Sequence, residues 1–173
     1  MPLDMYKERN PLPVVLIALF NENKILLAKR KREPYKGFYG ILGGRQTFGK
    51  LTKDIVIKEV LEETGFSVKE DTIETRGLYS EILLDKEGNP KDHFIFRACK
   101  AQVDNKMTDD LEKTDIEKFE WFDLPLAKKI KSKIIPTDLL MLEHILSEKK
   151  NEFKEFIIKE TKDPSKLKIV FIK

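Results

Sequence analysis

Residues 43–66 read GGRQTFGKLTKDIVIKEVLEETGF, and the organisation of the chain follows from how this stretch folds. Its first residues belong to a segment, 31–49, that cannot be regular structure. Pro34 and glycines at 37, 40, 43, 44 and 49 fall there, five of the chain's eight glycines. A backbone so rich in glycine needs unusual angles or close approach to a neighbour. From Thr52 the spacing turns helical and runs to Thr64, with Gly65 placed as a left-handed cap. At about 100° per residue, Val56, Ile57, Val60 and Leu61 share one side and Lys58, Glu59, Glu62 and Glu63 the other. Ile55 alone falls on the wrong face. The expectation is an amphipathic helix with an acidic outer stripe.

Glu59, Glu62 and Glu63 stand at i, i+3 and i+4, three carboxylates within about one turn. Lys58 is one neighbouring cation, too few to balance three anions. Oxygen-only ligands suit hard cations such as Mg²⁺ or Mn²⁺. A cation of that kind beside a phosphate polarises the phosphoryl group and acidifies a bound water. A solvated acidic face is the plain alternative from spacing alone. The glycine loop just ahead weighs against it, because Arg45 and Gly49 are placed to hold a phosphate chain against the acids.

The run Gly44-x5-Lys50-x7-Lys58-Glu59-Val60-x-Glu62-Glu63-x-Gly65-Phe66 resembles the signature of the Nudix hydrolases, G-x5-E-x7-R-E-U-x-E-E-x-G-U, with U a bulky apolar residue. Spacing is kept across all 23 positions. The flanks agree: LLAKR and GFYGILGG lie before the box and EKFEWFDL after it, so the resemblance covers about residues 12–146. Two positions depart from the signature. Lys50 stands for its first glutamate, and Lys58 for its arginine, keeping the charge but losing the planar, bidentate fork. Leu42 also replaces a proline that often precedes the paired glycines.

The resemblance implies an α/β fold, a Nudix-type α/β/α sandwich with a mixed central sheet, the box helix on one face and a helix over about 137–160 on the other. It implies Glu59 as general base or orienter of water and Glu59, Glu62 and Glu63 as ligands of Mg²⁺ (or Mn²⁺). A further acid from a later loop would join them; Asp115 and Glu117 are nearest, with Glu117 the expected ligand, and Asp109, Asp110 and Glu112 are weaker fits. Gly43 and Gly44 would shape the loop under a diphosphate. The implied activity is hydrolysis of a pyrophosphate bond in ADP-ribose, a nucleotide sugar or a nucleoside triphosphate. A nucleotide-binding module with weak or no hydrolysis is the alternative, motivated by Lys50.

Outside the box the residues are read on their own terms. Val14–Phe20 is a continuous apolar run, as expected of a strand buried on both faces. Lys24–Arg30, Thr72–Asp85, His93–Val103, Lys118–Phe122 and Leu167–Ile172 read as further strands. A helix begins near Thr137, and its apolar spacing is extended through Phe153, Phe156 and Ile157. Residues 1–146 then form the domain, with 1–12 an irregular arm, and 147–173 a helix-and-strand extension packed on it or pairing two copies. Arg30 and Arg45 are candidate phosphate contacts. Phe38, with Tyr35 and Tyr39, is a candidate for stacking on a base.

The small net charge of +3 conceals a pattern. Residues 1–50 carry 10 basic and 4 acidic groups, residues 51–123 carry 11 and 19, and residues 124–173 carry 12 and 7. That excludes a uniformly basic nucleic-acid coat and a disordered polyelectrolyte, and the resemblance implies a small nucleotide as partner, with no nucleic acid expected. Val14–Phe20 is too short to span a bilayer, and the lone Cys99 ties the chain to no oxidising compartment. The default is a cytoplasmic protein with no membrane association.

Overall fold

The computed structural model describes residues 10–104, 117–147, 149, 152–163 and 167–173. Most of the expected N-terminal arm and the candidate acids Asp109, Asp110, Glu112 and Asp115 lie outside the described residues. Strand β1 (Leu12–Asn21) is the axis of the sheet. Its apolar run buries both faces: Val15, Ile17 and Leu19 point to one core, Leu16, Ala18 and Phe20 to the other. On one side β1 pairs in parallel with β6 (Pro90–Gln102). On the other it pairs antiparallel with β2 (Lys24–Arg30) along its end and β4 (Leu42–Arg45) along its beginning.

β2 also carries β3 (Tyr39–Gly40) and β7 (Glu117–Asp123). β6 pairs antiparallel with β5 (Glu74–Leu84). β5 in turn takes β8 (Glu152–Glu160) in parallel, and β9 (Leu167–Ile172) pairs antiparallel with β8. Helix α1 (Thr52–Thr64) covers the first core with Ile55, Val56 and Val60, while α2 (Lys128–Lys131) is a short turn of helix. α3 (Pro136–Leu146) covers the second with Met141, Leu142 and Ile145. The architecture is an α/β/α sandwich around a mixed sheet. No described helix is long and apolar enough to cross a membrane.

Two expectations need correction. The apolar spacing through Phe153, Phe156 and Ile157 does not prolong α3. That helix stops at Leu146, where the Ser147 N–H caps the Glu143 and His144 carbonyls, and residues 152–160 form β8. Phe156 and Ile158 have the spacing of one strand face, and β5 offers an edge that rewards a strand. Phe156 enters the second core at 1% exposure and Ile158 is buried at 5%, while Phe153 stays 55% exposed. Truncating a phenylalanine buried like Phe156 to alanine costs about 3–5 kcal/mol, so β8 is part of the core that holds α3 in place. α3 is also tied by His144, whose Nδ1 bonds the Tyr79 hydroxyl and whose Nε2 lies 3.3 Å from Glu152 Oε2. Burial pulls that histidine's pKa down.

The second correction concerns the roll of α1. Its buried residues are Ile55, Val56, Val60 and Thr64, with Ile57 half-buried and Leu61 53% exposed. The helix is rotated from the face that apolar spacing selects, so that Glu59 and Glu63 become half-buried and Glu62 stays exposed. The acidic side is therefore not one outer stripe. It is split between a carboxylate turned to solvent and two turned towards the protein.

Candidate active site

The rotation of α1 is explained by β4. Gly44 pairs with Val15 and Gly43 with Leu16, so the two glycines face opposite sides of the sheet. A Cβ on Gly44 would overlap the Glu59 carboxyl group, and one on Gly43 would lie 2.6 Å from the Val15 carbonyl oxygen and 2.9 Å from Leu16 Cδ2. Neither position admits a side chain. The missing side chain of Gly44 is the slot in which Glu59 sits, and filling it would push that carboxylate away. The paired glycines thus serve close packing of a helix acid against a strand.

The ends of α1 fix its register. The Asp54 carboxylate accepts the Leu51 N–H at 3.0 Å, and the Gly65 N–H, in the left-handed region at φ 75°, donates to the Leu61 carbonyl at 2.9 Å. Lys58 Nζ lies 3.0 Å from Glu59 Oε1 and 3.0 Å from Glu62 Oε2. The hydrogen bonds to Glu62 and then Glu59 raise the lysine's pKa. Side-chain exposure differs sharply between those two acids, 14% for Glu59 and 59% for Glu62. Among the described residues no three histidine, cysteine or acidic side chains converge as a metal-holding group. The donor set is nonetheless of the right kind for a hard divalent cation, three carboxylates on neighbouring turns with one held in a slot that a Cβ would fill. The Lys58 ammonium now spans two of them.

On the α3 side of the sheet, a cleft of about 540 Å³ runs from Gly43, Gly44 and Arg45 to α3. Its floor is Val14, Leu16, Phe94 and Phe96, and past Leu12, Asp92 and Phe94 it opens into a shallower trough. Gly44 is common to both halves of the site, walling the cleft on one side and housing Glu59 on the other. Of the residues selected from sequence, Arg30, Gly43, Gly44 and Arg45 line the cleft. The Arg30 Nε donates to the Pro34 carbonyl at 2.9 Å. Phe38 instead packs edge-on against Tyr35, 5.4 Å between ring centres, and Tyr35 is the aromatic that reaches the cleft. The backbone of Glu117 pairs with Arg30 at the start of β7. Its side chain lies outside the described set.

Four polar cleft residues went unread in the sequence: Glu81, Asp92, Thr137 and Asp138. Glu81 is only 7% exposed, and its Oε2 has no hydrogen-bond partner. Burial, then the nearby Asp138 charge, pushes its pKa up to about 7, against a hydrogen bond from Thr137 that favours the ionised form. Asp138 Oδ2 accepts the Ile41 N–H at 2.8 Å. The one available signal was a single acid inside the apolar strand GLYSEILL.

The family model described as NUDIX domain matches residues 10–140. The chain is similar to an ADP-ribose pyrophosphatase of Methanocaldococcus jannaschii, 38% identical over 68 residues, which are 39% of each chain. It is also similar to the NAD-capped RNA hydrolase NudC of Vibrio parahaemolyticus, 40% identical over 57 residues, 33% of this chain and 22% of that one. The matches thus span about two fifths or less of those relatives. Among solved structures, a mutator MutT protein from Bacillus halodurans superposes with a TM-score of 0.70 at 19% identity, covering 94% of this chain and 96% of that one. The NUDIX domain of Shewanella oneidensis NrtR, solved with ADP-ribose, superposes at 0.60 and 16% identity, covering 84% and 97%. On the matched domain and the shared fold, the chain belongs to the Nudix family.

Proposed function

We propose that this protein is a divalent-metal-dependent pyrophosphohydrolase acting on a nucleoside diphosphate linked to another group, with ADP-ribose the leading candidate. The observation that carries the reading is the position of Glu59, seated in the Gly44 slot directly behind the wall of a cleft lined by Arg30 and Arg45. The M. jannaschii relative, named an ADP-ribose pyrophosphatase, supports the choice of substrate. The lone, unpaired Cys99 suits a cytoplasmic setting.

In this mechanism Arg30 and Arg45 pair with phosphate oxygens and hold the diphosphate at the glycine end of the cleft, beside Gly44. Glu59 Oε2, the oxygen that Lys58 does not hold, accepts a proton from the attacking water. The water oxygen bonds to one phosphorus, the bridging P–O bond breaks, and two monophosphates leave. Glu59, Glu62 and Glu63 would hold Mg²⁺ or Mn²⁺, which when bound spreads the charge developing on the phosphoryl oxygens. Lys58 keeps Glu59 in its rotamer and balances Glu62 while the site is assembled. Glu117 is proposed as the additional acid of this set.

The Lys58 bridge also favours a second reading, a nucleotide-binding module with weak or no hydrolysis, since the ammonium competes with a cation for Glu59 and Glu62. Lys50, exposed at the end of the glycine loop, adds a second positive charge where the Nudix signature has an acid. Incubation with ADP-ribose, nucleotide sugars and nucleoside triphosphates, with and without Mg²⁺ or Mn²⁺, separates the two. Metal-dependent release of monophosphates supports the hydrolase. Tight calorimetric binding with no turnover at excess Mn²⁺ supports the binding module, and a large gain in rate for Lys50→Glu would show a site detuned at that position.

A further inference from the structure

The cleft has a polar end that hydrolysis at Glu59 does not use. Glu81 on β5 turns a buried carboxyl group into it, and Oε2 has no partner within the protein. A buried polar atom left unpaired costs about 1–3 kcal/mol, so a group held there suggests that its partner comes from outside the chain. The other groups facing it are accounted for. Asp138 Oδ2 accepts the Ile41 N–H, the Tyr35 hydroxyl donates to the Leu167 carbonyl at 3.2 Å, and His93 Nε2 pairs with Ser80 Oγ at 2.9 Å. Thr137 bonds Glu81 itself, and Asp92, Arg30 and Arg45 line the rest of the cleft. The walls between the two ends are apolar and aromatic, with Phe94 and Phe96 stacked 5.6 Å apart beside Leu16 and Ile41. Such walls fit a flat heteroaromatic ring.

We infer that Glu81, supported by Thr137 and Asp138, is the specificity-determining group of this cleft and reads the aminopyrimidine edge of a nucleobase such as adenine. Burial first, and then the nearby Asp138 charge, disfavour the ionised form of Glu81. Asp138 is committed as an acceptor to a backbone N–H, which leaves Glu81 to carry the proton; the upward shift of its pKa agrees. A neutral carboxyl offers one donor and one acceptor side by side. That pair complements a ring nitrogen beside an exocyclic amine, the edge presented by adenine. Guanine presents two adjacent donors and would call for the ionised form. The base would then lie at the α3 end and the diphosphate at the glycine end of one cleft. This inference deepens the substrate assignment made above and rests on the nucleotide reading of that cleft.

The test measures binding rather than turnover. Calorimetric affinities are compared for AMP, for purine riboside 5′-monophosphate, which lacks the exocyclic amine, and for GMP, using the wild-type chain, Glu81→Gln and Glu81→Leu. The expected result is that AMP binds about tenfold more tightly than the analogue lacking the amine, the size of one good hydrogen bond. Glu81→Gln, whose amide also pairs one donor with one acceptor, keeps that preference, and Glu81→Leu abolishes it. Equal binding of AMP and the analogue to the wild type would overturn the inference, as would a preference that survives in Glu81→Leu or tighter binding of GMP than AMP. If Glu81→Leu fails to fold by circular dichroism, the wild-type ligand comparison and Glu81→Gln decide the matter. ADP-ribose hydrolysis assayed alongside keeps the two claims apart. Base preference without turnover removes the hydrolase reading alone, and turnover without base preference removes this inference alone.

Discussion

The protein handles acidic side chains in two opposite ways on the two faces of its sheet. On the α1 face, Glu59 and Glu62 are bridged by the Lys58 ammonium, and Glu62 remains largely in water. On the α3 face, Glu81 is buried, and burial and the nearby Asp138 charge favour its protonated form. The first cluster is balanced by a cation from the chain itself. The second is arranged to stay partly neutral, as a hydrogen-bonding reader of a base requires. Gly44, shared by the cleft and the Glu59 slot, is where the two faces meet.

The comparison can be broken most severely at that shared wall. Gly44→Ala should displace the Glu59 carboxylate and lower hydrolysis by about 10²-fold, the penalty expected when a reacting group is misplaced by an ångström or so. Overpacking should also lower stability by about 1–3 kcal/mol, read as a fall in denaturation midpoint. A fully active Gly44→Ala would mean that Glu59 does not depend on the slot.

The α3 face should reveal itself in the pH dependence of stability. Glu81 is held at about 7 against an ordinary 4.5. Its protonated form therefore stabilises the fold fully below pH 4.5, and that contribution is lost as pH rises through 7. The amount is on the order of 3 kcal/mol. Urea unfolding of wild type and Glu81→Gln at pH 4.5, 6 and 8 should show the wild type losing stability relative to the variant across that window. Parallel curves would mean that Glu81 titrates normally.

The smallest effect is expected at the half-exposed Lys58. Lys58→Met should change stability little, because an ion pair on the surface is screened by solvent. Its sharper consequence is that the melting temperature should respond more strongly to added Mg²⁺ or Mn²⁺, because Glu59 and Glu62 lose their internal cation. An unchanged response would show that the ammonium and the metal do not compete.

These two clusters also differ in how far they could be read from the letters alone. Glu59, Glu62 and Glu63 lie within one turn of helix, so local spacing exposes them, and Gly65 marks the helix end through its left-handed φ. The buried run of β1 was equally plain, since a strand covered on both faces must be apolar throughout. The roll of α1 was not, because Ile55 against Leu61 is decided by whether Gly44 leaves room for Glu59, a contact between distant elements. The strand at 152–160 was missed for a related reason. Phe153, Phe156 and Ile157 satisfy helical spacing, and only the parallel edge of β5 selects the extended form. Glu81 and Asp138 belong to β5 and α3, and become neighbours only when the helix packs across the sheet.

The most direct test of the central claim is ADP-ribose hydrolysis in Mg²⁺ by the native chain and by Glu59→Gln, side by side. The amide keeps the shape of the side chain in the Gly44 slot and cannot accept the proton. The account predicts monophosphate release by the native protein and a fall of about 10²–10⁴-fold in the variant, with the fold intact. Equal rates for the two proteins would contradict it.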